Sequence, residues 1–124
     1  FSVNIPTVSM VKKADYCGLV SGKDMDKSVL FRTFYGKLKT APMIEECPVN
    51  MECKLIKTVD FPTHDIFIGQ VAATYCDGAI LTDGAVDLSK LQPLLFAMND
   101  RSYYKLGDRL AKAWNIGKEI KAGK

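Results

Sequence analysis

Between Val49 and Asp77 the chain first alternates and then ceases to alternate. Val49, Met51, Cys53 and Leu55 are separated by Asn50, Glu52 and Lys54, a period of two that predicts a half-buried strand with the apolar parity inward. Residues 66–73, Ile-Phe-Ile-Gly-Gln-Val-Ala-Ala, are apolar at both parities. A second strand there is expected to be covered on both faces, one by a core and the other by a ligand or a partner subunit. Asp60-Phe61-Pro62-Thr63-His64 lies between them. Asp folds back on its own backbone and proline cannot donate to a ladder, so this is turn chemistry. It places His64, the sole histidine, at the mouth of a hairpin.

Residues 1–5 alternate apolar with polar until Pro6 stops them, which predicts a short strand. Thr7 or Ser9 can then cap a helix of about two turns carrying Met10, Val11, Ala14 and Cys17, with Gly18 just past its end. Ser21 to Lys27 is a polar loop in which Asp24 or Asp26 can cap a second, short helix, starting near Lys27 and carrying Val29, Leu30 and Phe34. Gly36 ends that pattern, residues 37–40 read as a weak strand or connector, and residues 43–47 are too short to assign.

Beyond the hairpin, Asp77-Gly78 and Thr82-Asp83-Gly84 are strong turn signals. Asp87 or Ser89 can cap a brief helix containing Leu88 and Leu91, which should end before Pro93 because the residue before a proline disfavours the α region. Leu94-Leu95-Phe96 reads as a buried strand and Tyr103 to Leu106 as an edge strand. In the tail, helix-spaced Leu110, Ala113 and Trp114 are interrupted by Asn115 and Gly117, so its conformation is left open. Lys118, Lys121 and Lys124 make it a solvated end. The pattern as a whole predicts a mainly β, barrel-like sheet with short helices.

Composition narrows the picture. At 124 residues and 48% hydrophobic, the chain suits one domain with a core that needs no staples. The net charge of +3 comes from scattered lysines, so no nucleic-acid partner is expected. No apolar run approaches a membrane span and no secretory leader is visible, so the expected compartment is the cytoplasm. Four cysteines without a Cys-x-x-Cys pair, beside one histidine, argue for free thiols and against zinc or any other metal. Phe1 opens what reads as a strand entered partway, so the sequence is expected to be a fragment.

No nucleophile elbow, P-loop, dinucleotide-binding glycine pattern or metalloprotease helix occurs, and no catalytic residue is assigned. The Ser21 to Lys27 loop could hold a phosphate through backbone N–H groups and a lysine. Asp24 and Asp26 oppose that, and on composition alone it reads as an ordinary surface loop. On residue type alone, His64 is a surface residue, Phe96 is core, and Cys17 is an inert small hydrophobe.

Taken together, F-x-V-N-I-P at 1–6, ADYCGLVSGKDMDK at 14–27, AP-x-IEECPVNMECKL at 41–55, H-x-x-FIGQV at 64–71, PLLFA at 93–97, SYYKLG at 102–107 and IGKEI at 116–120 resemble the flavoredoxin group of the flavin reductase-like, FMN-binding split-barrel family. The resemblance implies a homodimeric split β-barrel that holds FMN non-covalently near the subunit interface. It also implies electron or hydride transfer from a reduced nicotinamide or a protein donor. Lys27, His64 and Phe96 match positions that surround FMN in that group: the first two suit the phosphate or the polar flavin edge, and the phenylalanine suits the rings. Asn4 of VNIP is a further candidate that could equally serve only its strand. With the resemblance, the phosphate-side reading of Lys27 prevails.

The resemblance carries two departures. The family's domain begins well before F-x-V-N-I-P, so residues 1–124 are expected to be the C-terminal two-thirds of one split-barrel domain. The part before it would supply barrel strands, an asparagine and a tryptophan near the flavin, and a threonine on the phosphate side. Relatives also place phenylalanine directly after the lysine, where this chain has Ser28. Two functions follow: a flavin-dependent oxidoreductase, or a non-catalytic structural or interaction module with weak or no flavin binding.

Overall fold

The hairpin predicted at 49–77 is the longest feature of the fold. In the computed structural model, which describes residues 1–120, β4 (Val49–Asp60) and β5 (Asp65–Cys76) run antiparallel for twelve residues each. Before them come β1 (Ser2–Ile5), α1 (Val11–Leu19), β2 (Thr33–Tyr35) and β3 (Pro42–Ile44). After them come β6 (Leu81–Thr82), β7 (Ala85–Val86), α2 (Leu88–Leu91), β8 (Leu94–Ala97) and β9 (Ser102–Lys105). Short 3₁₀ turns lie at Val8–Met10, Lys27–Leu30, Gly78–Ile80 and Ile116–Glu119. The expectation that Lys121 and Lys124 form a solvated end falls outside the described residues.

The main sheet is open and three-stranded, in the order β1-β4-β5. β1 covers only the root of the hairpin, with Ser2 opposite Glu52 and Ile5 opposite Val49. From Leu55 outward β4 and β5 continue as a ribbon whose apolar residues are mostly exposed, Leu55, Ile56, Ile66, Phe67 and Ile68 among them, as is Val71 opposite Cys53. The cover expected on both faces of β5 is therefore not supplied along the outer ribbon by the described residues.

The predicted inward parity of β4 is reversed at its root. Asn50 and Glu52 are buried, Val49 and Met51 are only half-buried, and Leu55 is exposed. Two register shifts, one between Glu52 and Cys53 and one between Leu55 and Lys57, locally break the regular pairing and bend the ribbon. The buried polar residues face donors from outside the strand, as buried polar groups must: Asn50 donates to the Cys47 carbonyl at 2.7 Å, and Glu52 receives three hydrogen bonds described below.

Other boundaries also differ from expectation. Neither Thr7 nor Ser9 caps a helix; their hydroxyls bond each other at 2.7 Å, and a 3₁₀ turn leads into α1. The helix passes through Gly18 and ends at Leu19. Phe34 is in β2 rather than in a helix, because Thr33–Tyr35 pair with Pro42–Ile44. There its ring stands edge-on to Tyr75 at 5.9 Å. β8 is partly exposed, with Leu95 and Phe96 at the surface.

The C-terminal half follows its local signals. Asp83 and Gly84 both take positive φ, 52° and 75°, as a two-residue hairpin turn between β6 and β7 requires. Asp87 caps α2 by accepting the Ser89 N–H at 2.9 Å, and Gln92 in the left-handed region ends it before Pro93. β8 is tied to the chain just beyond β1: the Leu94 N–H donates to the Pro6 carbonyl at 3.0 Å, and Val8 N–H to Gln92 at 3.0 Å. The buried apolar set is small and central: Ala41, Met43, Cys47, Cys53, Ile80 and Leu91. Among the described residues no helix is long and apolar enough to cross a membrane.

Candidate functional site

Lys27 opens the 3₁₀ turn that Asp26 caps, Asp26 accepting the Ser28 N–H at 2.9 Å. Hydrogen bonds from Ser28 hold the Asp26 carboxyl below the usual carboxylate range. The Lys27 ammonium donates to the Cys17 carbonyl in the last turn of α1 at 2.6 Å. A cation there satisfies a carbonyl that the helix leaves without a partner and complements the negative end of the helix. An ammonium has three N–H donors. Among the described residues this is its one hydrogen bond, which leaves two for an anion.

Phe96 is in β8, directly opposite Tyr103 of β9. The two rings lie 5.2 Å apart and tilted at 47°, and Phe96 is 52% exposed, so the pair forms an aromatic shelf open to solvent. The Tyr103 hydroxyl donates to Asp15 of α1 at 3.1 Å. Lys27 and the Phe96 shelf are therefore both fastened to α1, one through Cys17 and the other through Tyr103 and Asp15. That shared support is legible only in three dimensions; the sequence marks Tyr103 only by its place in an edge strand and in the SYYKLG motif.

His64 is at the far end of the hairpin. Its ring stacks on Phe61 at 6.0 Å, and its Nδ1 shares a hydrogen bond of 2.8 Å with the Thr63 hydroxyl. Asn4 is at the root, opposite Asn50. The eleven residues of β4 from Asn50 to Asp60 span on the order of 30 Å at strand rise, so Asn4 and His64 lie at opposite ends of the ribbon. Asn4 is used within the sheet: its Oδ1 accepts the Ile44 N–H at 3.1 Å and its Nδ2 donates to Ser2 at 3.1 Å, joining β1 to β3.

The strongest polar cluster was not singled out in the sequence. Glu52, with no exposed surface, accepts the backbone N–H groups of Lys37 at 2.6 Å and Leu38 at 2.8 Å and the Tyr75 hydroxyl at 2.8 Å. Burial pushes its carboxyl up, but these donors and the Lys37 charge outweigh burial and the net shift is downward. The available signal was an acidic residue inside an otherwise strand-like segment, which the alternation assigned to water.

Two cavities are formed by other residues. One of about 930 Å³ lies between α2 and the segment after β9, including Asp87, Gln92, Lys105 and Arg109. One of about 270 Å³ lies beside Phe34, Cys47, Asn50 and Tyr75. None of Asn4, Lys27, His64 and Phe96 lines either one. Among the described residues no cluster of three or more His, Cys, Asp or Glu is arranged to hold a metal ion.

The comparisons with known proteins decide what this arrangement belongs to. The model of the flavin reductase like domain matches residues 1–107. The chain belongs to the flavin reductase-like family. It is 50% identical to the flavoredoxin of Methanosarcina acetivorans, superposing with a TM-score of 0.93 over 97% of this chain and 64% of that one. Against the flavoredoxin of Desulfovibrio vulgaris (Miyazaki F) the values are 37% identity, a TM-score of 0.85, and 94% and 64% coverage. An uncharacterised protein of Archaeoglobus fulgidus is 32% identical over 92 residues, which are 72% of this chain and 51% of that protein. The chain thus spans about half to two-thirds of the length of these relatives. Its mainly β fold with short helices is that of the family's split-barrel proteins.

Proposed function

We propose that this chain is a flavoredoxin-like protein that holds FMN non-covalently. It would pass electrons or hydride between a donor, a reduced nicotinamide or an electron-transfer protein, and an acceptor. The observation that carries this reading is the 50% identity with a flavoredoxin across 97% of the chain. The side chains suit the group. Lys27 has two N–H donors to offer a phosphate, and the Phe96–Tyr103 shelf gives an apolar seat for an aromatic ring system. His64 would add a polar contact at the flavin edge, and Asn4 a support for the strand beneath.

Bound FMN would supply the redox chemistry, and the chain would supply orientation and shielding from water. In that division of labour Lys27 places the phosphate, Phe96 fixes the plane of the rings, and no side chain need act as acid or base. A second copy fits this reading. The ribbon carries His64 away from α1, so a homodimer that lays one copy's ribbon against the other's α1 would complete the set. Four unpaired cysteines support the cytoplasm as compartment, since thiols persist there.

The uncovered ribbon also favours a second reading, a non-catalytic module whose apolar arm serves association alone. Flavin content separates the two. The oxidoreductase reading expects the purified chain to be yellow, to release stoichiometric FMN on denaturation, and to lose affinity when Lys27 is replaced by alanine. A colourless chain that takes up no added FMN would leave only the module.

A further inference from the structure

Side-chain hydrogen bonds grip α1 on two sides. On one side is the segment that carries Lys27. Lys13 donates to the Leu30 carbonyl at 2.7 Å, and its ammonium stands 5.2 Å from the centre of the Phe31 ring. Lys27 returns a bond to the Cys17 carbonyl at 2.6 Å. The 3₁₀ turn Lys27–Leu30 is thereby fastened to the helix at both of its ends. On the other side is β9, where the tie is the hydrogen bond from the Tyr103 hydroxyl to Asp15 Oδ1 at 3.1 Å. All of these contacts lie within one copy.

β8 has an attachment of its own. Leu94 N–H donates to the Pro6 carbonyl and Val8 N–H to the Gln92 carbonyl, both at 3.0 Å. These bonds fix the start of the strand and leave the Phe96 ring free to turn. What meets that ring is Tyr103, opposite it in register, 5.2 Å away and tilted at 47°. β8 and β9 form a sheet with no further strand, so no third strand's side chain holds the pair from beside. A tyrosine ring is oriented by two dihedrals, and a hydrogen bond at its far end restrains both.

Asp15 and Cys17 are about 3 Å apart along the axis of one helix, at 1.5 Å per residue. The anchor of the ring pair and the anchor of the Lys27 ammonium therefore move as one body. We propose that Asp15 is a positioning residue of the flavin site. Through Tyr103 it fixes the tilt of Phe96 and the place of both rings relative to Lys27, without itself touching the cofactor. An aromatic pair already held in place spares binding the entropy of ordering it. This rests on the FMN reading above and adds to it a residue that acts at one remove.

Riboflavin has the ring system without the phosphate, so it separates the two ends of the site. The full chain and the variants Asp15→Ala, Asp15→Asn, Tyr103→Phe and Lys27→Ala are titrated with FMN and with riboflavin, and the absorption and fluorescence of the bound flavin are recorded. Tyr103→Phe keeps the ring and deletes the hydroxyl, and Asp15→Asn keeps an acceptor oxygen. Asp15→Ala and Tyr103→Phe should weaken both ligands by the same factor, about three- to tenfold, the loss of one hydrogen bond. They should also alter the spectrum of the flavin that still binds. Asp15→Asn should stay close to the unsubstituted chain, and Lys27→Ala should weaken FMN alone.

An Asp15→Ala loss confined to FMN overturns the proposal, since the bond then serves only the phosphate end. Lower melting temperatures of the flavin-free variants with an unaltered flavin spectrum overturn it too, since the bond then supports only the fold. Unchanged affinity and spectrum in Tyr103→Phe, which decides the matter if Asp15→Ala does not fold, overturn it and leave the FMN reading standing. An unsubstituted chain that binds neither flavin overturns both.

Discussion

Tyr75 donates its hydroxyl to Glu52 at 2.8 Å, and the pair closes against Gly36 so tightly that a Cβ there would lie 2.8 Å from Glu52 Oε1 and closer still to the Tyr75 hydroxyl. The contact joins three segments, β4, β5 and the turn after β2. Gly36→Ala should therefore force the tyrosine ring or the turn to shift and cost about 1–3 kcal/mol, the range for an overpacked site. Thermal or urea unfolding checks this. Gly69→Ala serves as the comparison, because the atom nearest its Cβ is the far end of the Phe1 ring at 2.5 Å, which can swing aside, and its loss should be smaller.

The same carboxylate sets an acid limit. The Glu52 pKa is lowered in the fold, and hydrogen bonds from Ser89 and Thr82 hold Asp87 at about 2. A group whose folded pKa lies below its unfolded value contributes stability above the unfolded pKa and loses it as pH falls through the folded one. Stability should accordingly be level near neutrality and decline between about pH 4 and pH 2. Asp87→Asn should flatten part of that decline in melts taken across the range. An unchanged pH profile in the variant would contradict the assignment.

Cysteine reactivity should divide by place. Burial, with the nearby Glu46 charge, pushes the Cys47 thiol up to about 11, whereas Cys76 is exposed. The thiolate is the reactive form, so Cys47 should be alkylated on the order of a hundredfold more slowly than an ordinary thiol at pH 8. Peptide mapping after timed iodoacetamide treatment should find Cys76 modified first.

The outer ribbon should behave as an interface. Phe67→Asp introduces a charge at a residue 59% exposed in the single chain, where it should be harmless to a monomer. In a dimer built on the ribbon it should weaken association about thirtyfold or more, the loss of a hot-spot residue. Sedimentation equilibrium distinguishes these. A dimer of unaltered strength would show that the ribbon is not its contact.

Features decided locally were legible in the sequence. The hairpin, the Asp83-Gly84 turn, the Asp26 and Asp87 caps and the stop before Pro93 each depend on residues within a few positions of one another. Features that depend on distant partners are not. Alternation assigns Glu52 to water, because the donors that bury it come from Lys37, Leu38 and Tyr75. Periodicity puts Phe34 in a helix, because its pairing with Met43 is invisible to it. An apolar run makes Phe96 core, because it does not say whether a cover is supplied. For the candidate site, residue types were legible through resemblance, while the shared anchorage of Lys27 and Tyr103 on α1 was not.

On the proposed function, FMN is held between two copies, with Lys27 and Phe96 from one and His64 from the other. Mixing separately inactive variants tests it most directly. Lys27→Ala and His64→Ala are each titrated with FMN alone, then dissociated, mixed, reassociated and titrated again. A shared site predicts weak binding by each variant and recovery of tight binding in the mixture, where one of the two sites in a mixed dimer regains both residues. Tight binding by either variant alone, or no recovery in a mixture shown to contain mixed dimers, would contradict it.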